Sequence, residues 1–113
     1  MSDGADYQIT LSEAQRAVVV HAAGELDVHA HAEFVLMLAR ASAGDRNVIV
    51  DLSATTFIDS TGLRALFEVW HSQTAAGRGF ALRSPSPPVR RTLENAGLEA
   101  TFPIIHGPGD QET

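Results

Sequence analysis

The sequence predicts a single α/β domain, spanning residues 1–113, with a mixed, mostly parallel sheet and about three helices. Two observations predict this fold. The chain begins with two strand-like runs that are close enough to form an antiparallel hairpin, and helical and strand-like segments then alternate. In such an order the helices connect parallel strands, and the hairpin supplies an antiparallel strand at one side of the sheet.

The first part of the chain carries the hairpin and the first helix. Residues 7–11 alternate in a pattern typical of a strand with one buried face. After a turn at 12–15, residues 16–23 contain three consecutive valines and predict the second strand. We expect 24–27 to interrupt this strand, and an alanine-rich helix to run from 28 to about 41.

The central stretch, residues 48–70, reads VIVDLSATTFIDSTGLRALFEVW. Its first five residues predict a strand that is buried on both faces. From Leu63 the apolar residues recur at helical spacing, which predicts a helix with one apolar side. Phe67 and Trp70 continue that stripe, and we interpret them as core residues rather than partner contacts.

The rest of the chain predicts two further strands and one helix. Ser86 is expected to cap the last helix, because the prolines after it suit a first helical turn. The predicted elements are an end of the second helix near Ala76, a strand at 79–83, a loop at 84–88, a helix with Val89, Leu93 and Ala96 on its apolar side, and a weak strand at 102–105. The core is expected to cover about 7–105, followed by a mobile tail from 107 to 113.

The junction between the central strand and helix is the candidate functional site. Asp59 or Ser60 can act as N-cap by accepting a hydrogen bond from a free backbone N–H group. Capping alone does not require the small residues that follow, Thr61 and Gly62, and we interpret them as a bare first turn that another protein can approach. Sites in such sheets gather beyond the carboxyl ends of parallel strands, which is where Ser60 is expected.

Phosphorylation of Ser60 would give this site a switch without a change of fold. A phosphate adds a charge of about −1.5 to −2 at a helix N-terminus, where the dipole and free N–H groups tolerate it. The same charge would disturb a docking face through desolvation and through repulsion from Asp59 and Asp27.

A serine hydrolase is a less favoured alternative. Its nucleophile sits in Gly-x-Ser-x-Gly and needs a histidine base. Here Ile58 stands in place of the first glycine, and His71 or His106 would have to approach Ser60.

Two further features have alternative interpretations. Asp27 either caps the first helix or stands beside Ser60 at the same end of the sheet, and the sequence leaves both open. His21, His29 and His31 raise the question of a metal site, but a spacing of two does not place His29 and His31 on one helix face. We expect solvated or helix-start histidines and no metal.

Composition excludes several classes of function. The net charge is −6 and the arginines are scattered, which argues against nucleic-acid binding. The chain has no cysteine for thiol catalysis or thiolate metal sites. Neither a signal peptide nor a run of about 20 apolar residues is visible, so we expect a cytoplasmic protein without direct membrane insertion.

Three stretches together resemble the STAS domain, specifically the bacterial anti-sigma factor antagonists. They are GELD at 24–27, VIVDLSATTFIDSTGLRAL at 48–66 and SPSPPVRRTLENAGL at 84–98. The resemblance extends from about Tyr7 to Ile105. It implies a protein that is not an enzyme: the unphosphorylated antagonist binds an anti-sigma factor that is also a serine kinase, and thereby frees the sigma factor.

The resemblance also implies roles for individual residues. Ser60 would be the phosphorylation site, with Thr61 as the less favoured acceptor, and a PP2C-type phosphatase would restore the unphosphorylated form. No cofactor would be bound by this chain, since ATP would be held by the partner kinase. The implied partner-binding residues are Asp27, Asp59, Ser60, Thr61, Gly62 and Leu63.

Family members commonly continue into a C-terminal helix after the last strand. That helix is expected to be missing here, which leaves open how the outer strands are covered. An alternative within the same family is a STAS subunit of a larger assembly, such as a stressosome component or the small subunit of a lipid transporter. In that case Thr61 or no residue would be modified.

Overall fold

The computed structural model describes residues 6–107. The strands and helices are, in chain order, β1 (Tyr7–Glu13), β2 (Ala17–Leu26), α1 (His31–Ser42), β3 (Asn47–Asp51), β4 (Thr55–Ile58), α2 (Ser60–Ala75), β5 (Phe80–Arg83), α3 (Pro87–Asn95) and β6 (Ile104–Ile105). The predictions of a mobile tail and of a missing C-terminal helix concern residues that, apart from 106 and 107, lie outside the described range.

The sheet has the predicted mixed topology. Its strand order is β1-β2-β3-β5-β6, and β4 pairs with β2 outside this path. β1 and β2 are antiparallel, whereas every other pair of neighbours is parallel. The hairpin at one side of an otherwise parallel sheet is therefore confirmed.

Strand side chains alternate between two apolar clusters. Val20, Val48 and Val50 belong to the main cluster, while Val19 and Ile49 belong to a smaller one on the opposite face. The buried apolar side chains of α1, α2 and α3 all join the main cluster; they are Phe34, Leu38, Ala41, Leu63, Ala65, Leu66, Val89 and Leu93. The helices therefore cover one face of the sheet, and the ends of the strands remain available for a site.

The predicted interruption at 24–27 is wrong, because β2 continues to Leu26. Gly24 has φ +87°, and a Cβ there would clash with the carbonyl oxygen of Asp6. The pairing of β2 with β4 shifts register between Gly24 and Glu25. The glycine thus allows a local irregularity in the strand pairing without ending β2.

Strand β4 was not predicted. Its four residues, TTFI, are β-branched or aromatic, which suits a strand, but they do not alternate between apolar and polar side chains, and only Thr55 and Ile58 are buried. Long-range hydrogen bonds hold it instead. The Thr55 hydroxyl donates to the carbonyl of Ala22 at 2.7 Å, and the Ser86 hydroxyl donates to the carbonyl of Thr55.

The first helix begins at His31, three residues later than predicted. The N–H of Ala30 donates to the carbonyl of Asp27 at 3.0 Å, which closes a turn before α1. Val28, the predicted first helical residue, is 72% exposed in this turn.

Other boundaries agree better with prediction. α2 ends at Ala75 before Gly77, whose φ is +77°. Ser86 caps α3 by accepting from the N–H of Val89. Ala96 is exposed at the C-cap of α3 rather than on its apolar side.

Phe67 was wrongly interpreted as a core residue. It is 41% exposed, although its ring centroid lies 5.3 Å from that of Trp70. Trp70 is half-buried and packs against the main cluster, as expected. Phe67 therefore lies at the solvent edge of the α2 stripe.

Candidate functional site

The site forms where β2 and β4 end side by side. Leu26 is paired with Ile58, so the next residues, Asp27 and Asp59, leave the sheet at the same edge. The N–H of Asp59 donates to the carbonyl of Leu26 at 3.3 Å and ties the two segments together. A backbone held in this way gives the following residues a rigid base.

Asp27 therefore lies at the same end of the sheet as the Ser60 junction. Its carboxylate accepts a hydrogen bond from the N–H of His29 at 2.9 Å, within the turn before α1. The N-cap of α1 is Ala30, which has no side-chain cap. Of the two interpretations of Asp27, the structure favours the position beside the junction over the helix cap.

Asp59, and not Ser60, is the N-cap of α2. One carboxylate oxygen, Oδ1, accepts hydrogen bonds from the N–H of Gly62 at 2.9 Å and from the hydroxyl of Thr61 at 2.6 Å. Ser60 is the first residue of α2 and is exposed. The serine hydroxyl is therefore left available at the surface, while its neighbour satisfies the helix end.

The environment of Asp59 favours the charged carboxylate. Partial burial acts to raise the pKa of Asp59, but hydrogen bonds from the Thr61 side chain and from the amides of Gly62 and Thr61 outweigh it. The electrostatic interaction with His31 adds to this effect, and the pKa of Asp59 lies below its usual value. A negative charge thus stands next to Ser60 at neutral pH.

Sequence reasoning missed the position of His31 near Asp59. His31 is half-buried as the first residue of α1, which matches the expectation of a helix-start histidine. Its Nδ1 atom is buried and makes no hydrogen bond to any part of the chain between residues 6 and 107. No local pattern could have placed it here, because the neighbourhood depends on the unpredicted strand β4.

Gly62 and Leu63 lie beneath the surface. A Cβ at Gly62 would come within 2.7 Å of Cγ1 of Ile58, so the glycine allows α2 to pack closely on β4. Close packing against Ile58 therefore explains why position 62 is a glycine, which differs from the bare first turn inferred from the sequence. Leu63 is 5% exposed and belongs to the main cluster. Ser60 and Thr61 form the exposed part of the site, with Asp27 and Asp59 half-buried beside them.

The histidines considered as a catalytic base, His71 and His106, make no hydrogen bond to Ser60 within residues 6–107. His71 lies eleven residues further along α2, roughly 16 Å away at 1.5 Å per residue. Across residues 6–107 no histidine is hydrogen-bonded to the Ser60 hydroxyl, and no group of three His, Asp or Glu side chains could hold a metal ion. His21 instead pairs with the hydroxyl of Ser12 on β1, at 2.8 Å.

None of the helices between residues 6 and 107 is long and apolar enough to cross a membrane.

Solved structures with this fold include anti-sigma factor antagonists. One from Mycobacterium paratuberculosis is 24% identical, with a TM-score of 0.83 over 99% of this chain and 95% of that one. SpoIIAA in its unphosphorylated form is 23% identical, with a TM-score of 0.75 over 92% and 91% of the two chains. The phosphorylated form of SpoIIAA, from Bacillus, is 22% identical, with a TM-score of 0.71 over 92% and 95%. At these identities the likeness shows the fold.

A human protein, sulfate anion transporter 1, is also similar. It is 33% identical over 73 residues, which are 65% of this chain but only 10% of the transporter. The STAS domain family model matches residues 8–109, nearly the whole chain. Together with the mixed sheet and the strand-to-helix junction at Asp59, this match shows that the chain belongs to the STAS domain family.

Proposed function

We propose that this protein is an anti-sigma factor antagonist that works by partner switching. In its unphosphorylated form it binds an anti-sigma factor that is also a serine kinase, and the sigma factor is released. The kinase transfers the γ-phosphoryl group of ATP to the Ser60 oxygen and releases ADP, and the phosphorylated protein no longer binds. A PP2C-type phosphatase hydrolyses the phosphate ester with water and restores the first state.

The observation that carries this proposal is the exposed hydroxyl of Ser60 on a fixed base. Its position directly after the N-cap Asp59 makes it accessible without any rearrangement of α2. A phosphate at this point would meet free helix N–H groups and would leave the core untouched. The two forms in which SpoIIAA has been solved share this fold, which supports a modification that leaves the fold intact.

The change in binding would come from charge at the docking surface. Phosphate would stand beside the carboxylate of Asp59, which is held charged, and near Asp27. A partner that tolerates these two carboxylates would meet about two further negative charges on the phosphorylated form. Uncompensated like charges at an interface cost several kcal/mol, enough to reverse binding.

The hydrogen bonds at the junction favour Ser60 over Thr61 as the acceptor. The Thr61 hydroxyl donates to Oδ1 of Asp59 at 2.6 Å, so a phosphate on Thr61 would break this bond and face the carboxylate. The Ser60 hydroxyl makes no such hydrogen bond to Asp59, and Ser60 lies one residue closer to the N-terminus of α2. Gly62 and Leu63 are buried and support the site by packing, while their contact with a partner stays a prediction.

The proposal does not require catalysis or a cofactor in this chain, because the partner kinase holds ATP. The proposal also implies that the protein works in the cytoplasm with the transcription machinery.

A second candidate function is a STAS subunit of a larger assembly, which the 33% identity to a segment of sulfate anion transporter 1 favours. Such a subunit would bind its partner regardless of phosphorylation at Ser60.

A paired pull-down distinguishes the two functions. Ser60→Ala and Ser60→Asp proteins serve as baits in lysate of the source cell, with Thr61→Val as a control that keeps the threonine shape. We expect an ATPase-fold serine kinase on the Ser60→Ala bait, its loss from the Ser60→Asp bait, and its release from Thr61→Val when ATP and Mg²⁺ are added. Equal retention of a transport or scaffold protein by all baits would contradict the switch and favour the subunit.

A further inference from the structure

An exposed cation lies on the same side of α2 as Ser60. Arg64 follows Ser60 by four residues in the helix and its side chain is 81% exposed. Residues four apart in a helix have Cβ atoms roughly 5–6 Å apart and are neighbours on its surface. Long helical side chains also lean toward the N-terminus, so the guanidinium of Arg64 can reach the Ser60 oxygen.

The present partner of Arg64 holds it weakly. Nε of Arg64 lies 3.6 Å from Oε2 of Glu68, whose side chain is 68% exposed. Strong charged hydrogen bonds measure about 2.7–2.9 Å, as in the pair of Arg83 and Asp51 at 2.7 Å. An arginine that precedes its glutamate by four residues is also the less favourable order in a helix. Glu68 is therefore a partner that a stronger anion can replace.

A phosphate on Ser60 is such an anion. It carries about −1.5 to −2 charges and three acceptor oxygens, against one charge on Glu68. The planar guanidinium of arginine can donate to two phosphate oxygens at once. The present contact between Arg64 and Glu68, at 3.6 Å, does not use this two-point geometry. No acidic residue lies in the first turn of α2, and Oδ1 of Asp59 is already engaged by two hydrogen bonds.

We propose that Arg64 is a positioning residue for the phosphate of Ser60: on phosphorylation it leaves Glu68 and pairs with the phosphoryl oxygens. This inference rests on the proposed function, because it concerns the phosphorylated form of that site. The exchange changes the α2 surface at three positions, since a new dianion appears at Ser60, the cation of Arg64 is neutralised and Glu68 is left unpaired. The summed charge of the three groups is the same whether Arg64 pairs with Glu68 or with the phosphate, but the exchange leaves the uncompensated carboxylate of Glu68 eight residues further along α2, so a docking partner meets negative charge at both positions.

The test measures the second pKa of the phosphate by ³¹P NMR. Phosphoserine is installed at position 60 during translation, so that no kinase is needed. Arg64→Gln is expected to raise this pKa by about 0.3, because the dianion loses its neighbouring cation. Arg64→Lys should give a smaller rise, since the charge remains but the planar fork is lost, and Glu68→Gln should lower the pKa by removing the competing anion.

Arg91→Gln is the matched control, because Arg91 is an exposed arginine on α3. A phosphate pKa that is the same in Arg64→Gln and the parent protein, or that rises equally in Arg91→Gln, overturns the proposal. The outcome is independent of the pull-down: an unchanged pKa would leave the partner switch standing, and a failed switch would leave the measured pairing of Arg64 standing.

Discussion

At the scale of single residues, Asp59 performs two tasks that substitutions can separate. Its Oδ1 atom satisfies the start of α2 through the N–H of Gly62 and the hydroxyl of Thr61, and its charge stands next to Ser60. The first task needs only an acceptor oxygen, which asparagine also supplies. The second needs the negative charge.

The two tasks lead to a prediction for Asp59→Asn and Asp59→Ala. Asp59→Ala should lower the free energy of unfolding by about 1 kcal/mol through loss of the cap, whereas Asp59→Asn should stay within about 0.5 kcal/mol of the parent. Urea denaturation followed by circular dichroism measures both. If the two variants lost stability equally, the charge of Asp59 and not its cap would support α2.

At the scale of elements, β4 determines where the site lies. β4 pairs with residues 24–26 at the end of β2, after residues 17–21, which pair with β3. Its last residue, Ile58, directly precedes the N-cap of α2. The contact between Ile58 and Gly62 then sets how closely α2 approaches the strand. Ser60 is thus placed by a strand of four residues and by a glycine that fits against it.

Gly62→Ala tests this close contact. Alanine would normally favour a helix by up to about 1 kcal/mol, but here its Cβ would lie 2.7 Å from Cγ1 of Ile58. We expect a net loss of about 1–3 kcal/mol from overpacking. Gly44→Ala is the control, since a Cβ at Gly44 meets nothing within 4 Å. Thermal unfolding should show a lower Tm for Gly62→Ala alone; a higher Tm would mean that α2 does not rest on Ile58.

The elements with regular patterns could be predicted from sequence, and the one that positions the site could not. The stripe beginning at Leu63 and the cap at Ser86 are local signals, and both helices were found. β4 depends on hydrogen bonds from Thr55 to Ala22 and from Ser86 to Thr55, 33 and 31 residues apart. The surroundings of His31 were missed for the same reason, because its neighbour Asp59 is brought there by β4.

At the scale of the whole molecule, an ion pair joins the ends of two central strands. Asp51 ends β3 and is paired in register with Arg83 at the end of β5. Nε of Arg83 donates to Oδ2 of Asp51 at 2.7 Å, and Ser53 donates its hydroxyl and N–H to Oδ1. Arg83 is only 6% exposed and Asp51 is half-buried, so this pair lies largely within the fold.

This ion pair predicts how stability depends on pH. Burial acts to raise the pKa of Asp51, but the hydrogen bonds from Ser53 and the hydrogen bond and charge of Arg83 lower it below its usual value. The unfolded pKa, about 3.9, is then higher than the folded one, so the stabilisation is present above about 3.9 and is lost as pH falls through the folded pKa. Acid should therefore weaken the parent protein.

Asp51→Asn tests that dependence. The variant should be less stable than the parent at pH 7, because Arg83 loses its charged partner, and its stability should fall less steeply between about pH 5 and pH 2. Asp45→Asn, at an exposed position between α1 and β3, serves as control. Urea midpoints measured across this range would contradict the account if both variants followed the slope of the parent.

The most direct test of the central claim is the affinity of the purified partner kinase for the two forms of this protein. Isothermal titration calorimetry would compare the unmodified chain with the chain that carries phosphoserine at position 60. We predict that phosphorylation raises Kd by about 100-fold or more, since like charges at the docking surface cost several kcal/mol. Equal Kd values for the two forms would contradict the switch at Ser60.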